Sequence, residues 1–420
     1  MSERRRVWIT GIGIITAIGT GHDAFRAGLR AARSPVQRID RFDPTPFRSQ
    51  VAAQVDDFDP LAWMPARTAR QLDRFSQFGL VAGRLALDDA GLTPGVDGGA
   101  DPRRIGIYLG SALGGIAYAE EQHERYLEKG IRQVAPNLAL AVFGGAAPAN
   151  LGIALDVRGP ILSTANSCAS GAVALGEALG DLREGRVDAA IAGGVEIPLS
   201  PLAFGAFDII RALSAGHNDD PGAAARPFDV GRDGFVMGEG AALLVLEAAE
   251  VAERRGVIPY AELTGYGATS DAHHMVQPRA DGTEAARAAT IALEDAATEP
   301  GEIDYVNAHA SSTPIGDVAE ARAIALALGE RASTVPVSGT KALYGHPLGA
   351  SGAIEAAICA LTIRDGWAPS SVNLVEPDPV VAGLLPGLLR AGREGVYRRV
   401  LSTSFGFGGL NASLVFAAVD

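Results

Sequence analysis

The sequence predicts an α/β layered fold built from two related halves, and three observations predict it. Strand-like and helix-like runs alternate along the 420 residues, as layered α/β architectures require. Hydrophobic residues make up 47% of the chain and charged residues 20%, so a large core is available. Three short landmarks recur in one order: TGIG at 10–13 and TGYG at 264–267, LDDA at 87–90 and LEDA at 293–296, ASGAV at 169–173 and ASGAI at 350–354. Each match is weak alone in an Ala/Gly-rich chain. Three in the same order predict a duplication, with halves at 1–255 and 256–420. The first half carries the longer stretch between its landmarks, an insertion suited to an entrance or a subunit contact.

The elements follow in order. VWITGIG at 7–13 is rich in β-branched residues and reads as a buried first strand. The basic MSERRR before it imitates a secretory leader, but glycines interrupt the apolar run and no A-x-A-like site follows. FGLVAGRLALDDAG at 78–91 reads as a helix with Asp88 and Asp89 at a solvated end. IGIYLGS at 105–111, AAIAGGVE at 189–196 and AALLVLE at 241–247 are apolar runs of strand length, with a small-residue helix, AVALGEALGDL, starting after Cys168. The second half offers strands at 261–267, 303–310, 400–409 and 412–419, and helices at 283–297 and 350–363. The 52 glycines imply many tight turns and close backbone approaches.

Composition removes several functions. A net charge of −13 makes non-specific binding to nucleic acid or anionic membrane a poor fit. No segment offers about 20 uninterrupted apolar residues, so no membrane span is expected. Two cysteines without a framework point to a reducing, cytoplasmic setting. Cys359 lies in the apolar run AIEAAICALTI and reads as a small core side chain.

Cys168 reads otherwise. It sits in TANSCASG immediately before a helical run, so unpaired N–H groups and the positive end of the dipole would face its sulfur and favour thiolate. His309 (NAHASSTP) and His346 (KALYGHPLGASG) lie downstream in Gly-punctuated segments. A thiol with two imidazoles is the inventory of covalent acyl transfer. Cys168 precedes the ASGA helix of one half and His346 its counterpart in the other, which would bring them to one pocket between paired halves. A zinc site is the competing reading, but no C-x-x-C or H-x-x-x-H pair accompanies them.

Taken together, RRVWITGIGIITAIG, 212–247 (ALSAGHNDDPGAAARPFDVGRDGFVMGEGAALLVLE), VNAHASSTPIGD, GTKALYGHPLGASGAIEA and STSFGFGGLNASLVF give a specific likeness over essentially the whole chain. It resembles the β-ketoacyl-[acyl-carrier-protein] synthases, most closely the elongating synthase II type of type II fatty-acid and polyketide systems. The resemblance implies the thiolase fold, a duplicated five-layer α/β/α/β/α arrangement. It implies Cys168 as acyl-accepting nucleophile and His309 and His346 as stabilisers of the enolate from decarboxylated malonyl carrier protein. Lys341 matches the active-site lysine, with Glu355 as its structural partner. Backbone N–H groups of Cys168 and Phe405 match an oxyanion hole, and Phe405 a gatekeeper on the loop 406–409 (Gly406, Phe407, Gly408 and Gly409). Ser311 and Thr313 fall where hydroxyls hold phosphopantetheine, Asp271 and His274 on a second mobile loop, and Arg67 and Arg70 on the basic rim that receives acyl carrier protein. The resemblance further implies no bound cofactor or metal, substrates carried on the phosphopantetheine of acyl carrier protein, and either a homodimer or a heterodimer with a chain-length-factor subunit.

Departures from the pattern are Asn166-Ser167 before the nucleophile, Ala310 and Ser311 after the first histidine, Pro347 after the second, Leu410 in the glycine turn and Gln71 on the rim. None removes a reacting group. A coenzyme A thiolase would need a second catalytic cysteine as base, and Cys359 lies mid-helix. A non-catalytic chain-length factor would lack the nucleophile. A cysteine hydrolase would leave one histidine without a role.

Overall fold

The protein is represented by a computed structural model that describes residues 4–96 and 100–419. The first-half strands are β1 (Val7–Thr16), β2 (Ile105–Gly110), β3 (Ile161–Thr164), β4 (Ala189–Glu196) and β5 (Gly240–Ala248). Those of the second half are β6 (Ala261–Ser270), β7 (Tyr305–Ala308), β8 (Val337–Gly339), β9 (Arg399–Gly406) and β10 (Leu410–Ala417). They lie side by side as β3-β2-β4-β5-β1 and β8-β7-β9-β10-β6. Counted within each half, both orders run third, second, fourth, fifth, first. The directions match too: β2 is parallel to β3 and β4, β7 is parallel to β8 and β9, and the remaining pairs are antiparallel. The halves join where β1 meets β6 through Trp8–Glu262 and Ile9–Ala261.

The layers are completed by helices that include α1 (Arg74–Ala90), α2 (Ile116–Lys129), α3 (Ala146–Leu155), α4 (Ser170–Arg183), α5 (Thr283–Asp295), α6 (Gly316–Leu328) and α7 (Ser351–Asp365). Helices α4 and α7 lie between the sheet halves, in a core with Ile9, Ile12 and Leu244 from one and Leu263, Val400 and Leu414 from the other. Every residue of α7 from Ser351 to Thr362 is buried, the mark of a helix without a solvent face. Helices α1 and α3 cover the outside of the first half, α5 and α6 that of the second. This is the α/β/α/β/α order that the likeness implies.

The landmarks mark places where backbones touch. A Cβ on Gly13 would stand 1.8 Å from the Ala82 carbonyl oxygen of α1, and one on Gly267 2.2 Å from that of Ala288 in α5. Only glycine lets a helix settle so close onto a strand. The threonines of TGIG and TGYG, Thr10 and Thr264, are the extra residues of matching β-bulges. LDDA and LEDA supply the acceptors beside them: Asp89 takes the Ile12 N–H at 2.8 Å, and Asp295 the Tyr266 N–H at 3.1 Å. Asp89 also accepts the Tyr260 hydroxyl at 2.6 Å, so it is a joint between helix and strand rather than a solvated helix end. At the third landmark, Gly171 and Gly352 let the first turns of α4 and α7 touch; a Cβ on Gly352 would be 2.9 Å from Ala172 N.

Two differences from the sequence reading have simple causes. The edge strands β3 and β8 have four and three residues, too short for a period to show. The run 400–409 leaves the sheet at Gly406 because Gly408 and Gly409 take φ of 86° and 69°.

Candidate active site

Cys168 lies in the tight turn Ser167–Ala169 that feeds α4. Ser170 Oγ accepts Asn166 N–H at 2.8 Å and donates to Ser167 O at 2.6 Å, while Thr164 Oγ1 donates to Ser170 O at 2.9 Å. These bonds fasten the turn to the end of β3 and force Ser167 to φ 52°, a left-handed conformation uncommon outside glycine. His346 precedes α7, its N–H bound to Val236 O at 2.7 Å. Its Nε2 is 3.2 Å from the Cys168 sulfur and its Nδ1 2.8 Å from Ser351 Oγ. A hydroxyl both donates and accepts, so Ser351 supports either tautomer of this imidazole.

His309 follows β7. Glu320 of α6 accepts the N–H groups of His309 (2.7 Å) and Ala310 (2.6 Å) and the Thr403 hydroxyl (2.7 Å). The Lys341 ammonium is 3.2 Å from His309 Nδ1 and also donates to His309 O and to Glu355. An ammonium can only donate, so Nδ1 is the acceptor and Nε2 carries the proton. The His309 and His346 rings stand 5.2 Å apart at 83°. Together with Cys168 they put three ligand-type atoms within 4.8 Å of one another. A cation placed there would face the Lys341 charge, whereas negative charge would be attracted by it.

Burial sets the electrostatics. It pushes the Cys168 thiol up to about 11, against the opposing pull of the Ser167 hydroxyl, the Lys341 charge and the Phe407 N–H. The expected thiolate is therefore corrected: an almost dry sulfur, 6% exposed, loses more from desolvation than the helix end returns. Its nearest proton acceptor is His346. Burial, and then Lys341, holds both imidazoles well below the usual histidine range, so both are neutral. Burial raises Glu320 and Glu355 to about 7. Glu196 is likewise raised to about 7 by burial. It accepts from Ser111 Oγ and the N–H groups of Ala112, Leu113 and Gly349, tying β2, β4 and the approach to α7 together.

A cavity of about 340 Å³ opens onto the sulfur and both histidines, with Ser311, Thr313, Asp271, Phe405, Gly406 and Phe407 in its wall. Ser311 and Thr313 hydroxyls are 3.1 Å apart there. Lys341 and Glu355 stand behind His309. Asp271 accepts from Asn411 Nδ2 (2.8 Å) and Arg279 N–H (3.0 Å) and pins its loop to the glycine turn through Asp271 N–H to Gly409 O at 2.8 Å. Gly408 N–H bonds Met275 O at 2.9 Å on the same loop.

Phe405 is still in β9, paired with Asn411, its ring 6.3 Å from that of His309. The chain turns only after it, so the phenylalanine on the glycine turn is Phe407, whose N–H reaches the sulfur and whose ring stacks on Phe207 at 6.2 Å. Phe405 stays in the cavity wall beside His309, at the strand end from which the glycine turn starts. His274 is exposed and outside the cavity wall; its Nδ1 accepts Val276 and Gln277 N–H at 3.1 Å and shapes its own loop. Arg67 and Arg70 lie exposed on the short helix Ala66–Gln71, away from the cavity. Glu196, Glu320, Ser351 and Thr403 were not singled out in the sequence. An acid in GGVE or VAEARA carries no local sign that it will be buried, although the short spacing from His346 to Ser351 was readable.

Known proteins resemble the chain over its whole length. The model for the beta-ketoacyl synthase N-terminal domain matches residues 4–252, and that for the C-terminal domain residues 260–375. The chain is 39% identical over 417 residues to 3-oxoacyl-[acyl-carrier-protein] synthase 2 of Coxiella burnetii, covering 99% of both chains. It is 39% identical over 419 residues to the protein of the same name from Vibrio harveyi, again covering 99% of both. Among solved structures, a beta-ketoacyl synthase from Burkholderia phymatum superposes with TM-score 0.91 at 37% identity, covering 99% of this chain and 100% of that one. The ishigamide ketosynthase/chain length factor gives TM-score 0.91 at 33% identity, with 100% of both chains covered. A ketosynthase chain from AntDE:AntF, a type II polyketide complex with acyl-carrier protein, gives 0.91 at 32%, with 99% and 100% covered. With both domain models and full-length relatives in agreement, the chain belongs to the β-ketoacyl synthase family.

Proposed function

We propose that the protein condenses an enzyme-bound acyl thioester with malonyl-acyl carrier protein, releasing carbon dioxide and giving 3-oxoacyl-acyl carrier protein. The observation that carries this reading is the 3.2 Å contact between Cys168 sulfur and His346 Nε2, with His309 facing the same cavity. In the first half-reaction His346 takes the thiol proton as the sulfur attacks the acyl carbonyl carbon. The carbon–sulfur bond to the pantetheine breaks, and the departing thiolate takes that proton. In the second, malonyl thioester loses carbon dioxide, and neutral N–H groups of His309 and His346 stabilise the enolate oxygen. The enolate carbon attacks the Cys168 thioester, and the sulfur leaves as thiolate and regains the thiol form by taking up one proton from water, the proton that loss of carbon dioxide from a carboxylate consumes. N–H groups of Cys168 and Phe405 serve as donors to the tetrahedral oxyanion. Lys341 fixes the tautomer of His309, and Glu355 holds Lys341.

The names of the relatives support acyl carrier protein as the partner, with Ser311 and Thr313 along its pantetheine arm and Arg67 and Arg70 on the receiving rim. No bound cofactor is needed for these steps. A cytoplasmic setting accords with the described residues, in which no helix is long and apolar enough to cross a membrane. Pairing with a second copy or with a homologous chain-length-factor subunit fits edge strand β3, where Ile161 and Leu162 are 44% and 39% exposed. The heterodimer finds support in the ketosynthase/chain-length-factor neighbours, and the chemistry is the same in either assembly.

The test is intact-protein mass spectrometry. Acyl-carrier protein should add one acyl mass to wild type and none to Cys168→Ala, and malonyl-carrier protein should then release a chain two carbons longer. His309→Ala should keep the acyl adduct and lose decarboxylation. An adduct that survives Cys168→Ala defeats the assignment.

A further inference from the structure

Ser167 stands beside the nucleophile in a backbone conformation that a serine rarely takes. Its φ is 52°, in the left-handed region that favours glycine. The turn is closed by groups other than its side chain: Ser170 Oγ, the Thr164 hydroxyl and the Asn166 O to Ala169 N–H bond. The Ser167 hydroxyl instead points at the Cys168 sulfur, 3.8 Å away. Gly406 makes room for it, since a Cβ there would lie 3.0 Å from both Ser167 Cβ and Cys168 N. A thiolate here needs help, because the sulfur is buried and among the described residues its other donor contacts are the Phe407 N–H and, when protonated, His346 Nε2.

We infer that the Ser167 hydroxyl is a dedicated donor to the nucleophile, stabilising the Cys168 thiolate as the proton passes to His346 and stabilising it again when the acyl chain leaves. This rests on Cys168 being the acyl acceptor. No new bond or co-reactant is involved: the hydroxyl keeps its proton, the thiol proton moves to His346 Nε2, and the pantetheine thiolate takes it as the acyl–sulfur bond forms. The groups that face the sulfur electrostatically are His346, His309, Lys341 and, opposing ionisation, Glu196. Removing one hydroxyl leaves all four in place.

The experiment compares wild type with Ser167→Ala and Ser167→Gly, the second being the residue best suited to this φ. Alkylation of Cys168 by iodoacetamide is followed from pH 6 to 10, and acyl transfer from acyl-carrier protein by intact mass. In both variants the alkylation curve should move to higher pH and acyl transfer should slow about 3- to 10-fold. Decarboxylation of malonyl-carrier protein by enzyme already acylated should change less than about twofold, a split that a merely loosened turn would not produce. Curves that coincide with wild type, while Cys168 still takes the acyl group, overturn the role of Ser167 and leave the condensing reaction standing. Absence of acylation in wild type as well overturns both.

Discussion

Two neutral imidazoles are the chemical centre of the site, and their neutrality is a matter of burial. His309 and His346 are 6% and 2% exposed, and the Lys341 charge faces them. A free imidazole would gain a proton on acidification through about pH 6.5. These do not, so decarboxylation by acylated enzyme should stay flat through that region in a pH-rate series, and an inflection near 6.5 would contradict the account. Stability follows both kinds of group: below about pH 6.5 the unfolded imidazoles bind protons that the native ones refuse, and Glu196, Glu320 and Glu355, raised to about 7 by burial, oppose that loss by taking up protons first in the native state. The Lys341–Glu355 pair adds a second test. Burial holds Glu355 at about 7 despite its partner, so the pair gains little net energy, yet either charge left alone is expensive. Glu355→Gln should lose about 3–5 kcal/mol in denaturant unfolding, and Lys341→Met combined with Glu355→Leu should recover most of that while losing decarboxylation. At this scale Cys168, His309 and His346 were legible because thiol and imidazole are rare in the chain. The acids that hold them were not, since Glu196 and Glu320 look like any solvated carboxylate until four and three hydrogen-bond donors surround them. The state of the sulfur was misjudged for a related reason: a helix end shows in sequence, whereas desolvation does not.

Elements were legible where contact demands a residue type. The TGIG and TGYG landmarks survive because α1 and α5 rest their backbones on the strands there, and their acids because each bulge exposes one N–H. Gly13→Ala would drive a methyl into the Ala82 carbonyl at 1.8 Å. It should cost about 1–3 kcal/mol or more, read as a lowered thermal midpoint, and Gly267→Ala the same. Glu196→Gln leaves at least one of four donors without an acceptor, a loss of about 1–3 kcal/mol. Helices α2, α3 and α6 and the edge strands were not anticipated. In α6 small apolar residues are spread around nearly the whole circumference, so no stripe marks a face.

Across the whole molecule, the Cys168 thiol comes from one half and both imidazoles from the other, and the two meet because α4 and α7 share one layer. Neither layer nor site exists in a single half. The outer edge at β3 is the reverse: an apolar strand with nothing beside it among the described residues. Leu162→Lys should shift the protein toward single subunits in light scattering at fixed concentration, with β1–β10 pairing unchanged by circular dichroism; an unaltered mass would remove β3 from the assembly surface.

The position of β10 carries one more consequence. It is the last of the described strands, yet it lies inside the sheet between β9 and β6, with Phe416 and Leu414 in the shared core. During synthesis, Cys168 and α4 leave the ribosome long before the residues that will roof them. The nascent first half must therefore wait with a greasy face uncovered, and a stop codon only a few residues early in β10 would strand it there for chaperones or proteases to claim.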